Sequence, residues 1–98
     1  MHYYATFDEM TGLVNRHTGL LMLPTELGRT DRDHLPLSVC FVDLDGLRTI
    51  NDRFGHHEGD WMIKLLAGIL LDCVRSGDVA IRLGGDEFLL VLHGCTEL

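Results

Sequence analysis

Apolar and polar positions follow three rhythms along this chain, and each rhythm predicts a different kind of element. Leu20, Leu23 and Leu27 recur at helical spacing behind Asn15, a good N-cap, so a first helix is expected there. Gly28 to Pro36, "GRTDRDHLP", has loop composition and leads into a short apolar run. That run, Leu37 to Val42 ("LSVCFV"), is apolar on both faces and rich in β-branched and aromatic residues, as a central buried strand is; Asp43-Leu44-Asp45-Gly46 closes it. A second helix is expected over Leu47 to Phe54, with Leu47, Ile50 and Phe54 on one face, followed by a loop, "GHHEGD", from Gly55 to Asp60. The third helix has the most regular pattern, with Met62, Leu65, Leu66, Ile69, Leu70 and Cys73 opposite Lys64, Gly68 and Asp72, and Asp60 at its N-cap. "RSGD" ends it at 75 to 78. "VAIRL" and "FLLVLH" then predict a hairpin about Gly84-Gly85, whose glycines would supply the positive φ of a tight primed turn. The order helix, strand, helix, helix, hairpin points to a mixed α/β (α+β) fold with helices packed on one sheet.

Bulk composition narrows what such a fold can do. With 98 residues, 46% hydrophobic and 23% charged, the chain suits one compact domain with one modest core. Fifteen acidic against 8 basic side chains give a net charge of −7, which repels nucleic acid polymers and anionic membranes. The apolar stretch Leu65 to Leu71, interrupted by Gly68, falls far short of the ~20 residues a membrane span needs. The start, Met1-His2-Tyr3-Tyr4, lacks the regions of a signal peptide, so a cytoplasmic location is expected. Cys40, Cys73 and Cys95 are odd in number and widely spaced, which favours small core residues over disulfides or a zinc site.

The candidate chemistry lies in carboxylates at strand ends. Read alone, "DLDG" is a strand-terminating turn with solvated acids, and "GGDE" is a hairpin turn. Asp43 and Asp45, two apart, can share a face, and if the first strand lies beside the hairpin then Asp43 and Asp86 meet at one sheet end. Such a cluster repels itself unless it is protonated or holds a hard divalent cation, as in metal-assisted phosphoryl or nucleotidyl transfer. An EF-hand is excluded: Gly46 stands fourth in the loop where a sixth-position glycine is needed, and Phe54 occupies the twelfth position.

"DEMTGLVNRHTG", "DLDGLRTINDRFGHHEGD", "RSGD" and "RLGGDEF" stand in the order and spacing of the GGDEF domain of diguanylate cyclases, and the chain resembles that family from about Phe7 to Leu92. The resemblance implies a fold akin to the polymerase palm and the class III nucleotide cyclases, and condensation of two GTP into cyclic di-GMP. It implies Asp43, Asp86 and the Leu44 carbonyl as ligands of Mg²⁺ or Mn²⁺, and Gly84 and Gly85 against the nucleotide phosphates, where a Cβ would obstruct. Glu87 is the second acid, near the reacting 3'-hydroxyl, and Arg48 is the phosphate-facing cation where the family usually has lysine, a planar fork in place of a point charge. Asn51 and Asp60 match the guanine-reading positions, with His56 nearby; without the resemblance both would be taken for helix caps. Arg75 and Asp78 match an inhibitory RxxD site for the product, although an arginine at a helix C-terminus followed by Ser-Gly-Asp is also ordinary turn chemistry. His57 and Glu58 are expected as solvated loop residues and Trp61 as packing.

The implied reaction needs two GTP molecules facing each other across a two-fold axis, hence a homodimer. Only ten residues follow Phe88, whereas the family domain runs on for several tens more, so residues 1–98 are expected to be the N-terminal part of a single GGDEF domain, incomplete at its C-terminus and with no sensory domain before it. A shortened domain of this kind would expose an apolar strand edge. Two rivals to an active cyclase therefore stay open: an inactive module that binds cyclic di-GMP or GTP, and a purely structural or dimerising fragment.

Overall fold

The computed structural model describes residues 5–94, with the side chains of residues 30–33 left out. Its elements are α1 (Arg16–Asp33), β1 (Leu37–Asp43), α2 (Leu47–Phe54), α3 (His56–Cys73), β2 (Val79–Arg82) and β3 (Glu87–His93). The three strands form one antiparallel sheet in the order β1-β3-β2. The hairpin's second strand, not β1, is therefore central among the described residues. Phe88, Leu90 and Val91 of β3 are buried, on alternating sides of the sheet.

Helices cover both faces, unequally. On one face α2 and α3 place Leu47, Ile63, Ala67 and Leu70 against Ala80, Phe88 and Leu90, with Leu13 beneath them and Cys40 and Val42 of β1 at the margin. On the other, Met22 and Leu23 of α1 pack against Val79, Ile81 and Val91. Each fully buried side chain of this size stabilises the fold by about 1.5–3 kcal/mol. Gly19 permits the approach, since a methyl there would lie 2.5–2.8 Å from the Ile81 side chain. α1 does not reach over β1, and Val39 and Phe41 stay 55% and 57% exposed. Apolarity on both faces is thus a property of β1's sequence that packing satisfies on the α2–α3 side, and on the other side only at Leu37, which packs against the Val79, Ile81 and Val91 cluster.

Three expected boundaries move. α1 begins at its Asn15 cap, which accepts from Thr18 N, but runs through the segment expected as loop and stops only at His34 in the left-handed region (φ 56°). Pro36 supplies the stop, because it disfavours helical backbone at Leu35. "GHHEGD" is also helical after Gly55, whose φ of 92° makes the corner between α2 and α3, so Asp60 lies inside α3 and is not its N-cap. The buried stripe of α3 is Gly59, Ile63, Ala67 and Leu70, while Leu65, Ile69 and Cys73 face solvent. Apolar residues surround α3 on most sides, and its small residues, which admit close approach, select the side that packs. Cys40 is half-buried, Cys73 is exposed rather than core, and Cys95 lies outside the described residues.

The segment before α1 works as a strap. Phe7 and Val14 form a bridge, Val14 N donates to the Ala80 carbonyl at 3.0 Å, and Arg82 N donates to the Val14 carbonyl at 2.9 Å, which covers the outer edge of β2. At the far end of the sheet, buried Glu26 of α1 meets Nε2 of His93 and also Arg29 at 3.1 Å. No helix among the described residues is long and apolar enough to cross a membrane.

Candidate functional site

The corner where β1 meets β3 gathers the acids. The ladder ends with Asp43 opposite Glu87, and one step further Leu44 N donates to the Asp86 carbonyl at 2.9 Å. Cross-strand partners share a face, so the register sets Asp43 beside Glu87 rather than beside Asp86, which stands one residue earlier in the turn and meets β1 through its backbone carbonyl. Asp43 is exposed, and Asp86 and Glu87 are half-buried. Asp45 lies in the turn after β1 and is exposed, so strand alternation does not tie it to Asp43. No group of three or more His, Cys, Asp or Glu side chains among the described residues is arranged to hold a metal ion. The expected ligand set is smaller, two carboxylates and a carbonyl, and these hard oxygen donors suit Mg²⁺ or Mn²⁺.

The glycine pair behaves differently from the expected primed turn. Leu83 N and Gly84 N both donate to the Glu87 carbonyl, at 2.8 and 3.3 Å, and neither Gly84 nor Gly85 has a positive φ. A Cβ at Gly85 would meet nothing within 4 Å, and at Gly84 only Glu87 Oε2 at 3.7 Å. Neither the turn nor any described neighbour requires glycine here.

Sequence reasoning passed over the clamp that holds this turn. Arg82 donates from Nε to the Gly84 carbonyl and from Nη2 to the Gly85 carbonyl, both at 3.1 Å, and from Nη1 to Asp8 Oδ2 at 2.9 Å. Thr11 adds donors to the same oxygen, from N at 3.0 Å and Oγ1 at 2.7 Å. Burial alone would raise the Asp8 carboxyl; the bonds from Thr11 and Arg82 and the Arg82 charge outweigh it and hold the group below its ordinary value. The available signal was position: Asp8 opens "DEMTGLVNRHTG" and Arg82 opens "RLGGDEF", the two motifs that meet here. A cleft of 420 Å³ opens beside the clamp, lined by Asn15, Arg16, His17 and the two glycines among others.

The α2–α3 corner sets the Asn51 side chain against Gly59, the residue before Asp60. Asn51 is half-buried near the end of α2, and its side-chain oxygen is buried with no hydrogen-bond partner among the described residues. Asp60 is half-buried, and His56 and Arg48 are exposed at the starts of α3 and α2. His57 and Glu58 are exposed but helical; Trp61 is exposed too, lining a 270 Å³ groove with Ile50, Phe54 and Met62, and is not core packing.

Arg75 and Asp78 lie apart from these groups, near the opposite end of β3. Asp78 Oδ1 accepts from His93 N at 3.0 Å and Oδ2 from Arg75 N at 2.9 Å, while Arg75 Nη2 donates to the His93 carbonyl at 2.7 Å. Burial would raise the Asp78 carboxyl, but the His93 and Arg75 amides and the Arg75 charge lower it overall. Its side chain is only 3% exposed, whereas that of Arg75 is 64% exposed.

Residues 5–98 match the family described as "Diguanylate cyclase, GGDEF domain". Diguanylate cyclase DgcS of Shewanella oneidensis is 38% identical over 94 residues, which cover 96% of this chain and 32% of that protein. Diguanylate cyclase DosC of Escherichia coli K12 is also 38% identical, over 92% of this chain and 20% of that protein. Among solved structures, a sensory box/GGDEF family protein from Caulobacter crescentus superposes with a TM-score of 0.89 at 34% identity, covering 95% of this chain and 60% of that one. The GGDEF domain of DgcB from the same organism, solved with c-di-GMP, gives 0.89 at 25% identity, covering 98% and 56%. The chain spans about a third or less of the curated relatives' length.

Proposed function

This chain belongs to the GGDEF domain family of diguanylate cyclases, and we propose that it binds GTP at the corner between β1, α2 and the β2–β3 turn and serves as one half of a two-fold site that makes cyclic di-GMP. The observation that carries the proposal is the pairing of gathered acids with a glycine turn that the fold itself does not need. An open backbone at Gly84 and Gly85 lets phosphate oxygens approach where any Cβ would stand in the way.

Each of the two steps forms a bond from a ribose 3'-oxygen to the α-phosphorus of the facing GTP and breaks the bond to pyrophosphate. Two steps yield one cyclic di-GMP and two pyrophosphates. Because the reaction is symmetric, two copies must face each other, as in a closed two-fold dimer. The Glu87 carboxylate would take the 3'-hydroxyl proton, and the Arg48 fork would contact phosphate oxygens. Asn51 and Asp60 would read the guanine edge, with His56 at its border. Asp43, Asp86 and the Leu44 carbonyl would hold Mg²⁺ or Mn²⁺, which when bound neutralises phosphate charge. Product inhibition would act chiefly through Arg75, whose exposed guanidinium is reachable, because Asp78 already spends both oxygens on main-chain amides.

Purified chain incubated with GTP and Mg²⁺ is expected to give cyclic di-GMP, and Asp86→Ala to lower the rate by at least about 100-fold, the scale of losing a charge-stabilising group. GTP bound without turnover would leave a binding module; neither binding nor product would sink the proposal.

A further inference from the structure

Gly59 is a glycine without a backbone reason. It is the fourth residue of an 18-residue helix, in ordinary helical conformation, at a position where glycine is among the poorest choices. The reason is steric and lies in α2. A Cβ built on Gly59 would fall on the Asn51 amide oxygen, 2.8 Å from Cγ and 3.3 Å from Nδ2. The Asn51 amide thus rests on the bare Cα of Gly59, with its oxygen buried and unpartnered among the described residues.

Backbone hydrogen bonds at the corner hold the two helices on either side of this contact. Gly55 N donates to the Asn51 carbonyl at 2.9 Å, ending α2, and Gly59 N donates to the Gly55 carbonyl at 3.4 Å, opening α3. Both helices are therefore anchored to one glycine corner, and the side chain of Asn51 lies on the first turn of α3. Even alanine at 59 would collide with the amide, which would have to leave. Asp60, the second proposed guanine reader, is the next residue.

We infer that Gly59 is a positioning residue that sets guanine selectivity by leaving room for the Asn51 amide. The inference rests on the proposed guanine reading by Asn51 and Asp60. Gly59 touches no nucleotide atom itself; it fixes the plane in which Asn51 presents its amide. A hydrogen-bonding side chain displaced from its plane loses discrimination between purines more than it loses phosphate affinity.

The test is a double-mutant cycle on the 98-residue chain, with GTP and ATP affinities measured in Mg²⁺ by calorimetry and thermal midpoints measured alongside. Gly59→Ala is expected to lower the ratio of GTP to ATP affinity about tenfold or more, the scale of one lost hydrogen bond to a buried group. In an Asn51→Ala background the same substitution is expected to leave the ratio unchanged and to raise the thermal midpoint, because the added methyl then has space and alanine favours helix. If Gly59→Ala alone does not fold, recovery of the fold in Asn51→Ala/Gly59→Ala supports the contact, and failure of both overturns the inference. An unchanged GTP to ATP ratio in folded Gly59→Ala overturns it while leaving GTP binding intact. A wild-type chain that binds neither nucleotide overturns the guanine reading, and this inference with it.

Discussion

Asp8 and Asp78 show how single carboxylates hold this fold. Both are pulled out of water, which raises a carboxyl, and both are held below the ordinary carboxyl value because amide, hydroxyl and guanidinium donors favour the charged form more strongly. The unfolded chain then binds more protons than the folded one as pH approaches this range. Stability from these groups is fully present above about pH 4 and is lost as pH falls through their lower folded values. Denaturant midpoints are therefore expected to stay flat from pH 8 to 5 and drop below pH 4, and Asp8→Asn/Asp78→Asn should flatten that drop. A drop of undiminished size in the double variant would refute the assignment. At neutral pH, Asp8→Ala should cost roughly 1–3 kcal/mol, because Arg82 loses the ionic partner that helps hold the glycine turn. The long-range half of each role is not visible locally: Asp8 and Arg82 are 74 positions apart, and Asp78 reaches His93 N across 15, whereas its bond to Arg75 N is local turn chemistry.

The consequential element is β1. The Leu44–Asp86 hydrogen bond fixes the phase of the ladder, so Val42 and Cys40 turn their amides and carbonyls toward β3, whereas those of Val39, Phe41 and Asp43 point to the outer edge. Among the described residues that edge pairs with no strand, and exposed Val39 and Phe41 stand beside it. Such an edge is a template for another strand. The 98-residue chain is expected to self-associate with rising concentration in light scattering, and Phe41→Lys to suppress it without lowering the thermal midpoint by more than about 0.5 kcal/mol equivalent, as for other surface changes. A wild-type chain that remains monomeric at several hundred micromolar would refute this. α3 teaches a related lesson: its apolar periodicity pointed to Leu65, Ile69 and Cys73, yet Gly59 and Ala67 mark the side that packs.

The whole molecule is a thin slab, 18 Å along its shortest axis, and carries a net charge of −7. A polyanionic nucleotide is repelled by that field until a cation offsets it locally. EDTA is expected to weaken GTP binding about tenfold or more, and added monovalent salt to restore part of the loss by screening; equal affinity with and without EDTA would refute the need for a divalent ion. The sequence by itself determined what depends on neighbours along the chain: the Asn15 cap, α2 over 47–54, the span of the hairpin strands, and the spacing of "DLDG" and "GGDEF" that marked the family. Tertiary structure alone decided which apolar faces find a partner, that β1 lies at an edge, that Arg82 clamps the glycine turn through Asp8, and that Gly59 makes room for Asn51. Hydrophobic pattern and capping chemistry are local, whereas burial and steric fit depend on groups brought together from distant positions, and no periodicity records which of them will meet.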